Sequence, residues 1–173
     1  GKQTLRNAFE AVVNPGDEVI LPVPYWLTYP ELIRMSGGKT VFIETTEAQH
    51  FKITPEMLEK AITPATKAFV FNNPSNPTGM VYTEKETRAL AEVLENKDIY
   101  VISDEIYEKL VYGMDFFSIA ACGEKMKERT IICSGMSKTY SMTGWRVGYS
   151  AAPLHVAKAM SSIQSHTTSN TNS

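Results

Sequence analysis

Apolar residues recur along this chain in two periods. Over residues 4–14 they fall at Leu5, Ala8, Phe9, Val12 and Val13, the spacing of a helix with one buried face. Asn14-Pro15-Gly16-Asp17 stops that helix and turns the chain. Residues 18–23 form a short β-rich run, read as a buried strand. Residues 27–35 read as a helix ending at Ser36-Gly37-Gly38. A second strand follows over residues 39–45, with Val41 and Ile43 on one face and Phe42 on the other. Thr54-Pro55-Glu56 has the form of a helix start, a threonine cap with proline at the first helical position, and predicts a helix to about Ile62. Residues 67–72 are the next strand. The clearest amphipathic helix spans residues 83–96, with Ala89, Leu90, Val93 and Leu94 inward. Strands over 99–103, 130–133 and 147–152 and helices over 118–127 and 153–163 complete the reading. Strands alternate with helices almost throughout, which predicts an α/β fold of three layers: a mostly parallel sheet with helices on both faces.

Composition narrows the class. The 173 residues suffice for one domain with a sizeable core, and 43% hydrophobic with 21% charged is ordinary for a soluble globular protein. A formal net charge of −2 gives no support for a nucleic-acid or anionic-membrane surface. No apolar run approaches the roughly 20 residues of a membrane span, and no signal peptide opens the chain. A cytoplasmic protein is the default expectation. Cys122 and Cys133 sit in no metal-ligand spacing and are too few for a disulfide framework, so both read as buried thiols. The chain starts inside a helical pattern without methionine, and residues 161–173 are a Ser/Thr/Asn-rich loop or disordered end. Both ends read as cut, which suggests an excised domain.

The candidate chemistry centres on residues 134–148. Lys138 follows a buried strand, among small and hydroxylic residues, and Arg146 lies eight positions on between Gly144 and Gly148. A lysine at a strand end, beside hydroxyls and within reach of an arginine, suits imine chemistry on a phosphate-bearing cofactor. Ser137 and Arg146 would hold the phosphate. A surface lysine with an ion-paired arginine is the plainer alternative. Other strand ends carry similar candidates. Trp26 can lie flat on a planar ring or simply fill the core. The stiff loop from Asn72 to Gly79, with Asn76 in it, sits where α/β sheets place ligands, although Asn and Pro are also ordinary turn residues. Asp104 and Glu105 are adjacent on a strand end, so their side chains point apart and do not share a role. One carboxylate facing a ring nitrogen is the better reading, with Glu105 left to a salt bridge or buried hydrogen bond. A helix start at Gly1-Lys2 offers free amide groups to a phosphate.

Gly135-Met136-Ser137-Lys138 followed by Gly144-Trp145-Arg146-Val147-Gly148 resembles the lysine signature of the fold type I aminotransferases, which use pyridoxal 5′-phosphate (PLP). Asn76-Pro77-Thr78-Gly79, Asp104 with Tyr107, and Gly1-Lys2-Gln3 match further motifs of that family, closest to its bacterial aspartate aminotransferase branch. The resemblance implies that Lys138 carries the cofactor as an imine and moves the proton. It puts Asp104 at the pyridine nitrogen, Trp26 on the ring, Asn76 and Tyr107 at the phenolic oxygen, and Ser137, Arg146 and the Gly1-Lys2 backbone at the phosphate. Trp26 and Asn76 also face substrate. Lys2 reaches the neighbouring subunit's site to pair with the substrate's second carboxylate, which favours aspartate and 2-oxoglutarate and implies a homodimer. The family's large domain has a seven-stranded mixed sheet with one antiparallel strand. The resemblance covers residues 1–173 as that domain, without the N-terminal arm or the small domain whose arginine binds the α-carboxylate. The fragment is therefore expected to fold and to transaminate weakly or not at all.

Other readings stand beside it. A PLP-binding sensor domain of a transcription regulator, without turnover, or a PLP lyase of the same fold would use the same residues. A Ser137–Lys138 hydrolase dyad is disfavoured because side chains at i and i+1 rarely meet, and no Gly-x-Gly-x-x-Gly supports a dinucleotide fold.

Overall fold

The computed structural model describes residues 1–171. Within them one six-stranded sheet has the order β2-β1-β3-β4-β5-β6. The strands are β1 (Glu18–Val23), β2 (Lys39–Glu44), β3 (Thr66–Asn72), β4 (Tyr100–Asp104), β5 (Thr130–Gly135) and β6 (Gly148–Ala151). All neighbours run parallel except β5 and β6, which are antiparallel. Helices α1 (Lys2–Val12), α2 (Thr28–Met35) and α6 (Leu154–Thr167) pack on one face, and α3 (Pro55–Ala61), α4 (Glu84–Leu94) and α5 (Glu124–Lys127) on the other.

This layering explains why the central strands β1 and β3 carry apolar runs rather than an apolar–polar alternation. Successive side chains leave a strand on opposite sides. Val19 and Leu21 of β1 therefore join Phe9, Leu32 and Ile33, while Ile20 between them joins Leu58, Leu90 and Leu94. In β3, Ala68 and Val70 divide from Phe69 and Phe71 in the same way. A parallel sheet covered on both faces leaves no position for polar alternation. Each large side chain buried here contributes about 1.5–3 kcal/mol against the entropy of ordering it.

Helix starts follow the local signals. Thr54 accepts from the Met57 amide at 3.3 Å with Pro55 in the first turn. Thr83 and Glu86 form a reciprocal capping box at the start of α4, which satisfies two otherwise unpaired donors. The buried stripe of α4 is Thr87, Leu90, Ala91 and Leu94, with Ala89 and Val93 only half-buried, so the helix is rotated slightly from the expected face. The helix expected over 118–127 is broken into a 3-10 turn, Ile119–Cys122, and α5, because Gly123 between them adopts φ 141°. The last helix runs four residues past the expected end, to Thr167. There Gln164 accepts from Asn7 of α1 at 2.7 Å, so packing on α1 overrides the weak helix propensity of this serine-rich stretch. Residues 172–173 of the expected tail lie outside the described residues. Cys133 is buried as expected, whereas Cys122 is only partly covered.

The sheet also corrects an expectation: it has six strands among the described residues, not seven. These residues contain six β-rich runs, and β6 is left as an edge. What matters for the site is the opposite end of each strand. Parallel β1, β3, β4 and β5 all finish at one edge, and antiparallel β6 begins there, so that Gly148 faces Gly135 and Asp104 pairs with both Asn72 and Cys133. The start of α1 closes the same edge. A Cβ on Gly148 would overlap the Gly1 nitrogen and lie 2.8 Å from Thr4 Oγ1 and 2.9 Å from Gly1 Cα, so only glycine permits this approach.

Candidate active site

Four strand ends and the start of α1 surround a cavity of about 320 Å³, within the range of about 300–1,000 Å³ usual for small-molecule sites. Every residue that the sequence put forward lines it: Gly1, Lys2, Trp26, Asn76, Asp104, Tyr107, Ser137, Lys138 and Arg146. A larger groove of about 940 Å³ lies near the starts of β4 and β5. Its charges, among them Asp98, Glu124, Lys127 and Arg129, are of both signs and converge on no single point.

Asp104 ends β4 and is 6% exposed. Its Oδ2 accepts from Tyr29 Oη at 2.7 Å and its Oδ1 from the Ile106 amide at 3.2 Å. Burial pushes this carboxyl up from its ordinary range, and those two hydrogen bonds oppose the shift. Glu105 turns the other way, as alternation requires: its Oε1 accepts from Ser103 at 2.8 Å and from Ser118 at 2.6 Å, outside the cavity. It too is pushed up by burial.

Asn72, the last residue of β3, ties the neighbouring segments together. Its Nδ2 donates to the Asp104 carbonyl at 3.0 Å and its Oδ1 accepts from the Asn76 amide at 2.7 Å. The loop bearing Asn76 is thereby fixed to the end of β4. Trp26 meets Tyr29 edge-to-face, centroids 5.4 Å apart at 85°. Lys138, three residues beyond β5, is exposed toward the cavity with Nζ 5.8 Å from the Tyr107 ring. Arg146 has φ 56°, and its Nη1 donates to the Thr143 carbonyl at 2.7 Å, closing the loop that carries Ser137 and Lys138. Lys2 Nζ lies 5.3 Å from the Trp26 ring of its own chain. Tyr29 and Asn72 were not singled out from the sequence. Their only local signals are a tyrosine three positions after Trp26 and an asparagine closing a strand.

The raised Asp104 carboxyl has a consequence for stability. A group whose folded pKa exceeds its unfolded value stabilises below the unfolded pKa, and that stability is lost as pH rises through the folded pKa. Asp104→Asn is therefore expected to raise the melting temperature of the cofactor-free complete protein at neutral pH, and to change it little near about pH 4, the unfolded carboxyl value. Thermal unfolding of both proteins at the two pH values checks this. An unchanged or lower melting temperature at neutral pH would contradict it.

The donor set has a definite chemistry. A buried acid forms the floor, an indole forms a wall and an amine stands at the mouth, with amide, phenol, hydroxyl and guanidinium groups around them. This is a three-layer α/β/α domain with a lysine-bearing cavity at the C-terminal edge of its sheet. The family model for aminotransferase class I and II matches residues 1–173, and the chain belongs to that family. It is 51% identical over 170 residues to the aspartate aminotransferase of Geobacillus stearothermophilus, covering 98% of this chain and 43% of the relative. It is 50% identical over 172 residues to an aspartate/prephenate aminotransferase of Cereibacter sphaeroides, with 98% and 43% covered. The solved Thermus thermophilus aspartate aminotransferase with maleate superposes with a TM-score of 0.94 at 45% identity, over 99% of this chain and 44% of that one. The chain thus spans less than half the length of these relatives. Membership of the family implies PLP as cofactor, and the residues present fit it: a buried carboxylate for a ring nitrogen, a flat aromatic, a free amine, and bare glycine backbone where a phosphate would approach.

Proposed function

We propose that the complete protein is a PLP-dependent aminotransferase that moves an amino group between an L-amino acid, aspartate favoured, and a 2-oxo acid. One observation carries the reading: Trp26, Asn76, Asp104 and Lys138, from four separate strand ends, face one cavity. When bound, PLP would supply an aldehyde that condenses with amines and a cationic ring that withdraws electrons. Every other task falls to the chain. Lys138 Nζ would hold the cofactor and, once displaced by the substrate amine, would take the proton from the substrate Cα and deliver it to the former aldehyde carbon, two atoms further along. The Asp104 carboxylate accepts from the ring nitrogen and keeps it protonated. The Trp26 indole would hold the ring plane fixed. Asn76 and Tyr107 donate to the phenolic oxygen. Ser137, Arg146 and the amides at Gly1-Lys2 hold the phosphate.

Lys2 is the residue we assign to the substrate's second carboxylate. Its exposed ammonium at the cavity, and the dicarboxylate maleate in the Thermus thermophilus structure, support this. The resemblance sends this lysine to a neighbouring subunit's site, whereas here its side chain lines the cavity of its own chain, beside Trp26. Tyr140 and Trp145, large aromatics exposed on the lysine loop, support a homodimer. The matched relatives are named as aminotransferases, which supports turnover over a sensor or lyase reading. The test is amino transfer by the complete protein from aspartate to 2-oxoglutarate or prephenate, followed as oxaloacetate. Transfer is expected to at least one acceptor. Tight PLP binding with no transfer from any amino acid would favour the sensor.

A further inference from the structure

We propose that Tyr29 is a positioning residue of this site, aiming the Asp104 carboxylate into the cavity and favouring its charged form. The proposal rests on the PLP reading for its consequence, but its geometry does not. Tyr29 sits in the first turn of α2, is 1% exposed and packs in the core with Leu5, Leu32 and Ile33. Among the described residues its hydroxyl has a single partner, Asp104 Oδ2 at 2.7 Å. A phenol so deeply buried could have been a phenylalanine at no packing cost, unless the hydroxyl has work to do.

The direction of the bond is fixed. Burial, then the Asp104 charge, push the Tyr29 phenol well above its ordinary value, so it remains the donor. Asp104 Oδ1 is left with one weaker donor, the Ile106 amide at 3.2 Å. Removing the tyrosine hydroxyl leaves a buried carboxylate oxygen without a partner, which favours the protonated acid. A protonated Asp104 would set an O–H against a ring N–H instead of accepting from it. Tyr29 also meets Trp26 edge-on. One side chain thus contacts both the floor and the wall of the cavity.

Other titratable groups face Asp104 from each side. Cys133 pairs with it across β5 and is held as a thiol, burial first and then the two neighbouring carboxylates pushing it up. Glu105 is turned onto Ser103 and Ser118. Lys2, Tyr107, Lys138 and Arg146 line the cavity around it. Among the described residues, only Tyr29 places a side-chain donor on the carboxylate itself.

The test uses the complete protein and Tyr29→Phe. In the cofactor-free form, the Asp104 carboxyl is titrated by carbon-13 NMR, with Asp104→Asn to assign it. One lost hydrogen bond to a charged group predicts a midpoint about one to two pH units higher in Tyr29→Phe. With PLP, the acid limb of binding, read by tryptophan fluorescence, should move up by a similar amount. Should Tyr29→Phe not fold, 3-fluorotyrosine at position 29, a stronger donor of nearly the same shape, should move the Asp104 midpoint down. An Asp104 midpoint unchanged by either replacement overturns the proposal, even where the melting temperature falls. Absence of PLP binding in the unsubstituted protein would instead overturn the cofactor reading, and the cofactor-free titration would still decide the role of Tyr29.

Discussion

Lys138→Ala in the complete protein should lower amino transfer by about 10²–10⁴-fold through the lost proton-transfer role alone, and further through loss of cofactor attachment. The fold should be indifferent. Lys138 is exposed, stands past the end of β5 and enters none of the ion pairs of the described residues. Exposed substitutions of this kind change stability by about 0.5 kcal/mol or less. Rates measured beside thermal unfolding separate the two effects. Activity within tenfold of the unsubstituted protein would remove Lys138 from the mechanism. A large drop in melting temperature would mean that it supports the loop as well.

Gly148→Ala should be the most damaging change that adds a single carbon. The new Cβ would meet the Gly1 nitrogen and Cα, which are backbone and cannot rotate away, together with Thr4 Oγ1. Either α1 must withdraw from β6 or β6 must part from β5, at a cost of about 1–3 kcal/mol. The amides at the start of α1 then leave the place where a phosphate would be held, and an equal loss of binding energy is about 5- to 150-fold in PLP affinity. Gly144→Ala is the control, because a Cβ there meets nothing within 4 Å. Titration of PLP against the three proteins, with melting temperatures, gives the answer. Equal affinity for all three would show that the start of α1 does not hold the cofactor.

The parts of this site that could be read from the sequence are those whose residue type is odd for its place. Lys138 after an apolar strand, Asp104 closing one, Asn76 between prolines and Trp26 after Pro24 each stand out locally, and alternating periods put them all at strand ends. The partners that align them could not be read in this way. Tyr29 and Asp104 are 75 positions apart, and Asn72 and Asp104 are 32 apart. A buried tyrosine and a strand-terminal asparagine look the same in sequence whether or not they touch an acid. Glu105 shows the reverse case, where alternation alone settled that it faces away from Asp104. In the fold, a capping signal placed the start of α3 well, and amphipathic spacing placed α4. The break at Gly123 and the extension of α6 to Thr167 depended on a backbone angle and on the Asn7–Gln164 contact, neither of which propensity records. The seventh strand came from resemblance and has no counterpart among the described residues.

The central claim is that this cavity holds PLP on Lys138. Its most direct test is borohydride reduction of the complete protein incubated with PLP, followed by peptide mapping. The account predicts one pyridoxyl-labelled peptide, carrying the label on Lys138. Label on Lys2 or scattered over surface lysines, or no label at all, would contradict it.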